Sequence, residues 1–112
     1  MLLFLHRTKA LEDLQDKFNE CFPHLQIFFY RSKKDLECGR SLPTSETVGT
    51  AFRSSGGVLE LKSWFTTRQV QDLFRNQHGV YVRLLRVAQN DWREAEPNDP
   101  LCCGANQKLQ QT

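Results

Sequence analysis

The fold is decided by two stretches of the chain that share one pattern. Residues 3–31 read LFLHRTKALEDLQDKFNECFPHLQIFFYR, and residues 59–87 read LELKSWFTTRQVQDLFRNQHGVYVRLLRV, at a constant offset of 56. Each stretch holds a short apolar strand, an amphipathic helix and a second apolar strand. The identical residues are Leu3, Leu5, Gln15, Asp16 and Phe18 in the first stretch and Leu59, Leu61, Gln71, Asp72 and Phe74 in the second. The repeat predicts a small α+β domain made of two similar halves.

Two strand–helix–strand units in tandem are typical of the ferredoxin-like βαββαβ arrangement. This arrangement has a four-stranded antiparallel sheet with two helices on one face, and right-handed crossovers favour it. We therefore predict a single domain over residues 1–95, with an insertion at residues 32–56. Residues 96–112, which are rich in proline and glutamine, are predicted to form a flexible C-terminal tail. The alternative is an α/β layout in which a short helix near residues 45–53 is a crossover between parallel strands.

Local signals place the ends of the predicted helices. Thr8 is the expected N-cap of the first helix, and Ser45 that of the short helix in the insertion. Thr66 and Gln69 have the spacing of a capping box at the start of the next helix. Gly79 is expected to end that helix in the left-handed conformation.

The cysteines are read as thiols rather than as disulfides or metal ligands. Cys21 follows Leu14 and Phe18 at helical spacing, which predicts a buried core thiol. Zinc sites usually show paired ligands two to four residues apart in two clusters, and adjacent cysteines with scattered histidines do not form such clusters. The residues weighed as zinc ligands are Cys38, Cys102 and Cys103 with His6, His24 or His78. We predict no metal site, no cofactor and no catalytic group, and thus not an enzyme.

Composition indicates an ordinary globular protein. The chain is 39% hydrophobic and 25% charged, which argues against wholesale disorder. Its 15 basic and 13 acidic residues give a net charge of +2, which is too even for a typical nucleic-acid footprint. The apolar run over residues 1–5 is short for a secretory signal, and no stretch approaches the ~20 apolar residues of a membrane span. We expect a cytoplasmic protein without a membrane partner.

The strands carry apolar residues on both of their faces. The residues expected to face the helices are Leu3, Leu5, Ile27, Phe29, Leu59 and Leu61. The residues expected on the opposite face are Leu2, Phe4, Phe28 and Tyr30. Each large apolar side chain left in water forfeits on the order of 1.5–3 kcal/mol. Either the segment around Trp92 folds over this face, or a partner covers it.

The sequence therefore favours a non-enzymatic domain that binds another protein or itself, as a homodimer, through its open sheet face or edge. Because aromatic residues and arginine dominate binding hot spots, the predicted interaction surface is Phe4, Phe28, Tyr30 and Arg83.

The sequence also allows two other functions. The first is single-stranded nucleic-acid binding through the same aromatic residues with Arg31, Lys33 and Lys34. However, the third strand, within residues 57–62, has no aromatic residue on which a base could stack. The second is small-ligand sensing at a dimer interface, which rests on analogy between folds alone.

The segment from Phe74 to Trp92 resembles one found in small bacterial α+β proteins of unassigned function. In those proteins a helix ending in Phe-Gly leads into an apolar strand and then into a strand that carries a tryptophan. Here His78 precedes Gly79, and Val80 opens the apolar strand. The resemblance covers about half of the chain and implies no activity.

Overall fold

The computed structural model describes residues 1–54, 56–88 and 90–101. Along the chain the elements are β1 (Leu2–Phe4), α1 (Leu11–Cys21), β2 (Leu25–Tyr30), α2 (Lys33–Cys38), α3 (Val48–Ala51), β3 (Val58–Glu60), α4 (Thr67–His78), β4 (Tyr81–Ala88) and β5 (Asp91–Glu94). The predicted α+β class is confirmed. The insertion at residues 32–56 contains α2 and α3.

The strands form two sheets rather than the single four-stranded sheet of the ferredoxin-like arrangement. β1 pairs with β3 in one antiparallel sheet, and the second sheet has the order β2-β4-β5 with antiparallel neighbours. The first strand of each half thus pairs with its counterpart in the other half, and so does the second. The repeat therefore predicts the positions of these four strands correctly, but not their division into two sheets.

Both ladders are centred on equivalent residues of the two halves. Leu3 lies opposite Leu59, and Phe28 lies opposite Arg83. The first pair is 56 residues apart and the second 55, because Ile27 follows Phe18 by nine residues whereas Val82 follows Phe74 by eight. The constant offset of 56 therefore holds only up to the ends of these helices. An approximate twofold axis passes through the two central pairs and relates the halves.

The glutamine shared by the two halves has the same structural role in each. The Gln15 side-chain amide donates to the Ile27 carbonyl at 2.9 Å, which ties α1 to the outer edge of β2. In the second half, Gln71 donates to the Val82 carbonyl at 3.2 Å and ties α4 to β4. Each bond satisfies a strand carbonyl that the ladder between β2 and β4 leaves unpaired.

The similarity of the halves continues beyond the stretches that align in sequence. The Leu11 N–H donates to the Glu46 carbonyl at 2.8 Å, and its counterpart is the bond from Thr67 N–H to the Asp99 carbonyl at 2.9 Å. In the same way, the Val48 N–H donates to the Lys9 carbonyl at 2.8 Å, and the Leu101 N–H donates to the Phe65 carbonyl at 2.9 Å. Residues 42–48 and 95–101 are thus equivalent segments, each packed at the start of a helix.

The C-terminal segment is ordered further than the sequence predicted. Leu101 is fully buried, and the Arg68 N–H donates to the carbonyl of Pro97. The predicted tail therefore does not begin at residue 96. Residues 102–112, which include Cys102 and Cys103, lie outside the described residues.

Helix α1 begins without the expected side-chain cap. Its N-cap is Ala10, and the Thr8 hydroxyl instead lies 2.8 Å from Nδ1 of His6. The cap is not needed, because the first N–H of the helix, that of Leu11, donates to the Glu46 carbonyl. The short helix α3 likewise begins two residues later than expected, with Thr47 as its N-cap rather than Ser45.

Helix α4 has the ends that its sequence predicts. Thr66 and Gln69 form a complete capping box. Gly79 ends the helix with φ of 65°. The difference from α1 follows from the sequences, since only α4 is preceded by a residue able to cap it at the right position.

One hydrophobic core lies between the helices and the inner faces of both sheets. It includes every residue expected to face the helices, namely Leu3, Leu5, Ile27, Phe29, Leu59 and Leu61. Phe18 and Phe74, which are equivalent in the repeat, are both fully buried. Cys21 is exposed, contrary to prediction. The buried stripe of α1 passes through Phe18 to Phe22, which leaves Cys21 on its solvent side.

We expect Gly79→Ala to destabilise the protein more than Gly39→Ala. Both glycines have φ near 70°, where alanine costs about 1–2 kcal/mol. A Cβ on Gly79 would also lie 2.7 Å from the Cβ of Arg53, whereas a Cβ on Gly39 has no neighbour within 4 Å. Urea denaturation of the two variants measures the difference. Equal losses of unfolding free energy would contradict this interpretation.

Candidate functional site

The outer face of the three-stranded sheet carries most of the predicted interaction residues. Directly paired residues share a face of a sheet, and faces alternate along each strand. The ladder places Phe28 opposite Arg83, Tyr30 opposite Tyr81, and Val87 opposite Trp92. These side chains therefore lie on one face, the one opposite to the core residues Ile27 and Phe29. We call it the outer face.

Helix α2 covers one end of the outer face. It packs against both β2 and β4, and Tyr30 is only 4% exposed as a result. Ser32 caps the helix by accepting from the Asp35 N–H, and Gly39 ends it in the left-handed conformation. Tyr30 was predicted to be a contact residue, but its ring is buried and faces no solvent.

Arg83 holds α2 against the sheet. Its guanidinium donates to the Leu36 carbonyl of α2 at 2.7 Å and lies 5.4 Å from the ring centroid of Tyr30. Its Nε is 3.7 Å from a carboxylate oxygen of Glu94 on β5. The cation thus joins α2, β2 and β5 across the outer face. Arg83 lies in the predicted surface, but its donors are directed at groups of the same chain.

The other end of the outer face is uncovered. Phe28 and Leu85 are half-buried there, and Val87 and Trp92 are each 39% exposed. Trp92 does not fold over the aromatic residues, because β5 pairs alongside β4 in the plane of the sheet. It widens the apolar surface instead. We define the apolar end as Phe28, Leu85, Val87 and Trp92.

Phe4 lies elsewhere, on the outer side of the two-stranded sheet. It is 55% exposed beside Val58, its partner in the ladder, while Leu3 points into the core. Phe4 and Phe28 belong to different sheets that share one core, so the structure does not bring them together. Trp64, which is 68% exposed, follows β3 and lies under the ammonium group of Lys62 at 5.3 Å.

The basic residues of the nucleic-acid alternative lie where β2 ends and α2 begins, at the covered end of the outer face. Arg31 forms an ion pair with Glu46 at 2.9 Å, in the position that Arg86 and Asp99 occupy in the second half at 3.6 Å. Lys33 and Lys34 are exposed in the first turn of α2. The aromatic residues of the apolar end therefore lack a continuous row of free cations beside them.

The histidines occupy separate structural positions. His78 is buried with Nδ1 2.8 Å from the Ser54 carbonyl, and His24 Nε2 lies 3.0 Å from the Leu101 carbonyl. Among the described residues no three side chains of His, Cys, Asp or Glu gather as metal ligands would.

No family model, curated protein or solved structure matches the chain. Within residues 1–54, 56–88 and 90–101, no helix is long and apolar enough to cross a bilayer.

Sequence reasoning missed Leu85 and Val87 as members of the surface. Both alternate with core residues along β4, a pattern that was visible from Tyr81 to Val87. What could not be read from the pattern was that β5 would pair with β4 and place Trp92 beside Val87. That pairing is a contact between strands, and the periodicity of one strand does not specify it.

We expect Arg83→Met to loosen α2 without unfolding the sheet. The change removes the hydrogen bond to the Leu36 carbonyl, worth on the order of 1–1.5 kcal/mol, so amide exchange over residues 33–38 should quicken by roughly tenfold. Hydrogen exchange followed by mass spectrometry measures it. The control is Arg75→Met, which breaks an exposed ion pair with Asp72 and should change little. Unchanged exchange in α2 would show that Arg83 is not its anchor.

Proposed function

We propose that this protein is a non-enzymatic interaction domain that binds another protein through its apolar end. The observation that carries the proposal is that Val87 and Trp92 remain 39% exposed side by side, next to Phe28 and Leu85. Adjacent exposed apolar side chains on a soluble domain mark contact sites more often than single ones do.

The composition of the apolar end fits a protein contact. Tryptophan is the residue most enriched among binding hot spots, and a flat sheet face offers it a rigid base. Burial of exposed apolar surface contributes roughly 25 cal/mol per Å². The rim is polar, since the ion pair of Arg83 and Glu94 borders the apolar end.

The same composition is the reason for proposing a non-enzymatic role. The four side chains of the apolar end carry no group that could act as nucleophile, acid or base. The neighbouring charged residues are Arg83 and Glu94, and each is within 3.7 Å of the other. The four apolar side chains themselves can be buried against a partner, but they offer no proton or electron pair to a substrate.

Protein is favoured over single-stranded nucleic acid by the charges around the apolar end. A stacking platform for bases needs free cations along the path of the phosphates. Arg83, the cation nearest to the aromatic residues, already donates to Leu36 and faces Glu94. The acidic side chain of Glu94, which is 63% exposed, would repel a phosphate.

We expect a photoreactive aromatic residue at position 92 to crosslink to protein, and one at position 64 not to. Benzoylphenylalanine replaces Trp92 in one variant and Trp64 in the control, so that both probes are large, aromatic and exposed. Irradiation in the native cells, followed by denaturing electrophoresis and mass spectrometry, gives the mass and identity of each adduct.

A discrete protein adduct from position 92 alone supports the apolar end as the contact surface. Adducts of equal yield from both positions would show that exposure, rather than this surface, determines the crosslinking. The absence of any adduct from position 92 would remove the proposal, and a nucleic-acid adduct there would replace it with the alternative.

A further inference from the structure

Among the described residues, strand β5 ends the three-stranded sheet with a free edge. Its four residues are all exposed, and no described strand lies beyond it. An edge of this kind presents unpaired N–H and C=O groups to any chain that can lie alongside it.

The hydrogen bonds of β5 show which of its backbone groups face the free edge. The Ala95 N–H donates to the Leu84 carbonyl of β4 at 2.9 Å. Because an antiparallel ladder alternates, the backbone groups of Arg93 and Asp91 also point to β4, and those of Trp92 and Glu94 point outward. In the single chain, the Trp92 N–H donates to the side-chain carboxylate of Asp91 at 2.9 Å.

We infer that the protein binds a second copy of this chain by antiparallel pairing of β5 with β5, with Trp92 opposite Trp92 of the other copy. The inference rests on the proposed function and names its partner. The two three-stranded sheets then form one continuous six-stranded sheet. The apolar ends of the two copies meet at the twofold axis, on one face of that sheet.

Backbone pairing and charge together select this register. Outward-facing groups must meet outward-facing groups, which allows a twofold axis at any residue of β5. An axis at Asp91 or at Glu94 places two carboxylates opposite each other, and an axis at Arg93 places two guanidinium groups opposite each other. Only the axis at Trp92 places Asp91 of each copy opposite Arg93 of the other. Opposite charges in directly facing positions stabilise a sheet, and like charges there destabilise it.

The Asp91 carboxylate has a partner both in the single chain and in the proposed dimer. In the single chain it satisfies the outward Trp92 N–H, which keeps the edge from pairing indiscriminately. In the paired state that N–H donates to the Trp92 carbonyl of the other copy, which frees Asp91 to pair with the facing Arg93. No buried polar group is left without a partner by the exchange.

Other edges of the described chain are less suited to such pairing. The outer edge of β2 is already occupied, since its carbonyls accept from side chains or loop: Leu25 O from Asn19, Ile27 O from Gln15 and Phe29 O from Leu42 N. β1 and β3 have only three residues each. β1 carries no charged residue that would fix a register with its copy.

Charge reversal tests the register. Asp91→Arg places arginine opposite Arg93 in a homodimer, and Arg93→Asp places aspartate opposite Asp91. Each variant alone should associate about tenfold more weakly than the wild type, because two attractive pairs become repulsive. A mixture of the two variants restores both attractive pairs, so a heterodimer should form with near wild-type affinity. Sedimentation equilibrium and native mass spectrometry of the single and mixed proteins measure this.

The control is Arg75→Asp, which changes the net charge as Arg93→Asp does but lies on α4, in an exposed ion pair. It should associate like the wild type. A wild-type protein that stays monomeric at all concentrations would overturn the inference, and a heterologous adduct at position 92 would still support the proposed function. A wild-type dimer whose charge-reversed variants are not rescued by mixing would overturn the register alone.

Discussion

The structure depends on the antiparallel pairing of each strand with its counterpart in the other half. Leu3 faces Leu59 in one ladder, and Phe28 faces Arg83 in the other. An antiparallel pair centred on equivalent residues is itself a twofold arrangement, so the two ladders impose approximate symmetry on everything between them. The core then contains equivalent residues from both halves, among them Phe18 of α1 and Phe74 of α4.

The two ends of the outer face differ because the two halves are not symmetric there. Between the second strand of each half and the equivalent segments 42–48 and 95–101, the first half has α2 and the second has β5. α2 crosses the outer face and buries Tyr30, whereas β5 extends the sheet and adds Trp92. Arg83 connects α2 and β5, because its guanidinium donates to a carbonyl of α2 and lies near a carboxylate of β5. One end of the outer face is thereby covered and the other is widened.

Local sequence signals predicted the features that depend on neighbouring residues. The capping box at Thr66, the left-handed end at Gly79 and the core face of β2 are all determined within a few residues. The pairing of the strands was not predictable in the same way, because alternation assigns faces but does not choose neighbours. The prediction of Thr8 as a cap was wrong because it used only neighbouring residues. The first N–H groups of α1 donate instead to carbonyls of residues 44–46, which are distant in sequence.

The structure brings only some of the predicted surface residues together, for the same reason. Phe28 and Arg83 face each other across a ladder, yet alternation alone could not separate Phe4, which belongs to the other sheet. Nor could it show that an arginine beside aromatic residues is held by a helix carbonyl. A cation whose guanidinium donates to a helix carbonyl of its own chain contributes to the shape of a surface rather than to its binding chemistry. In the proposed dimer, the apolar side chains that the cation borders supply the contact area, and the charges of Asp91 and Arg93 set the register of the paired strands.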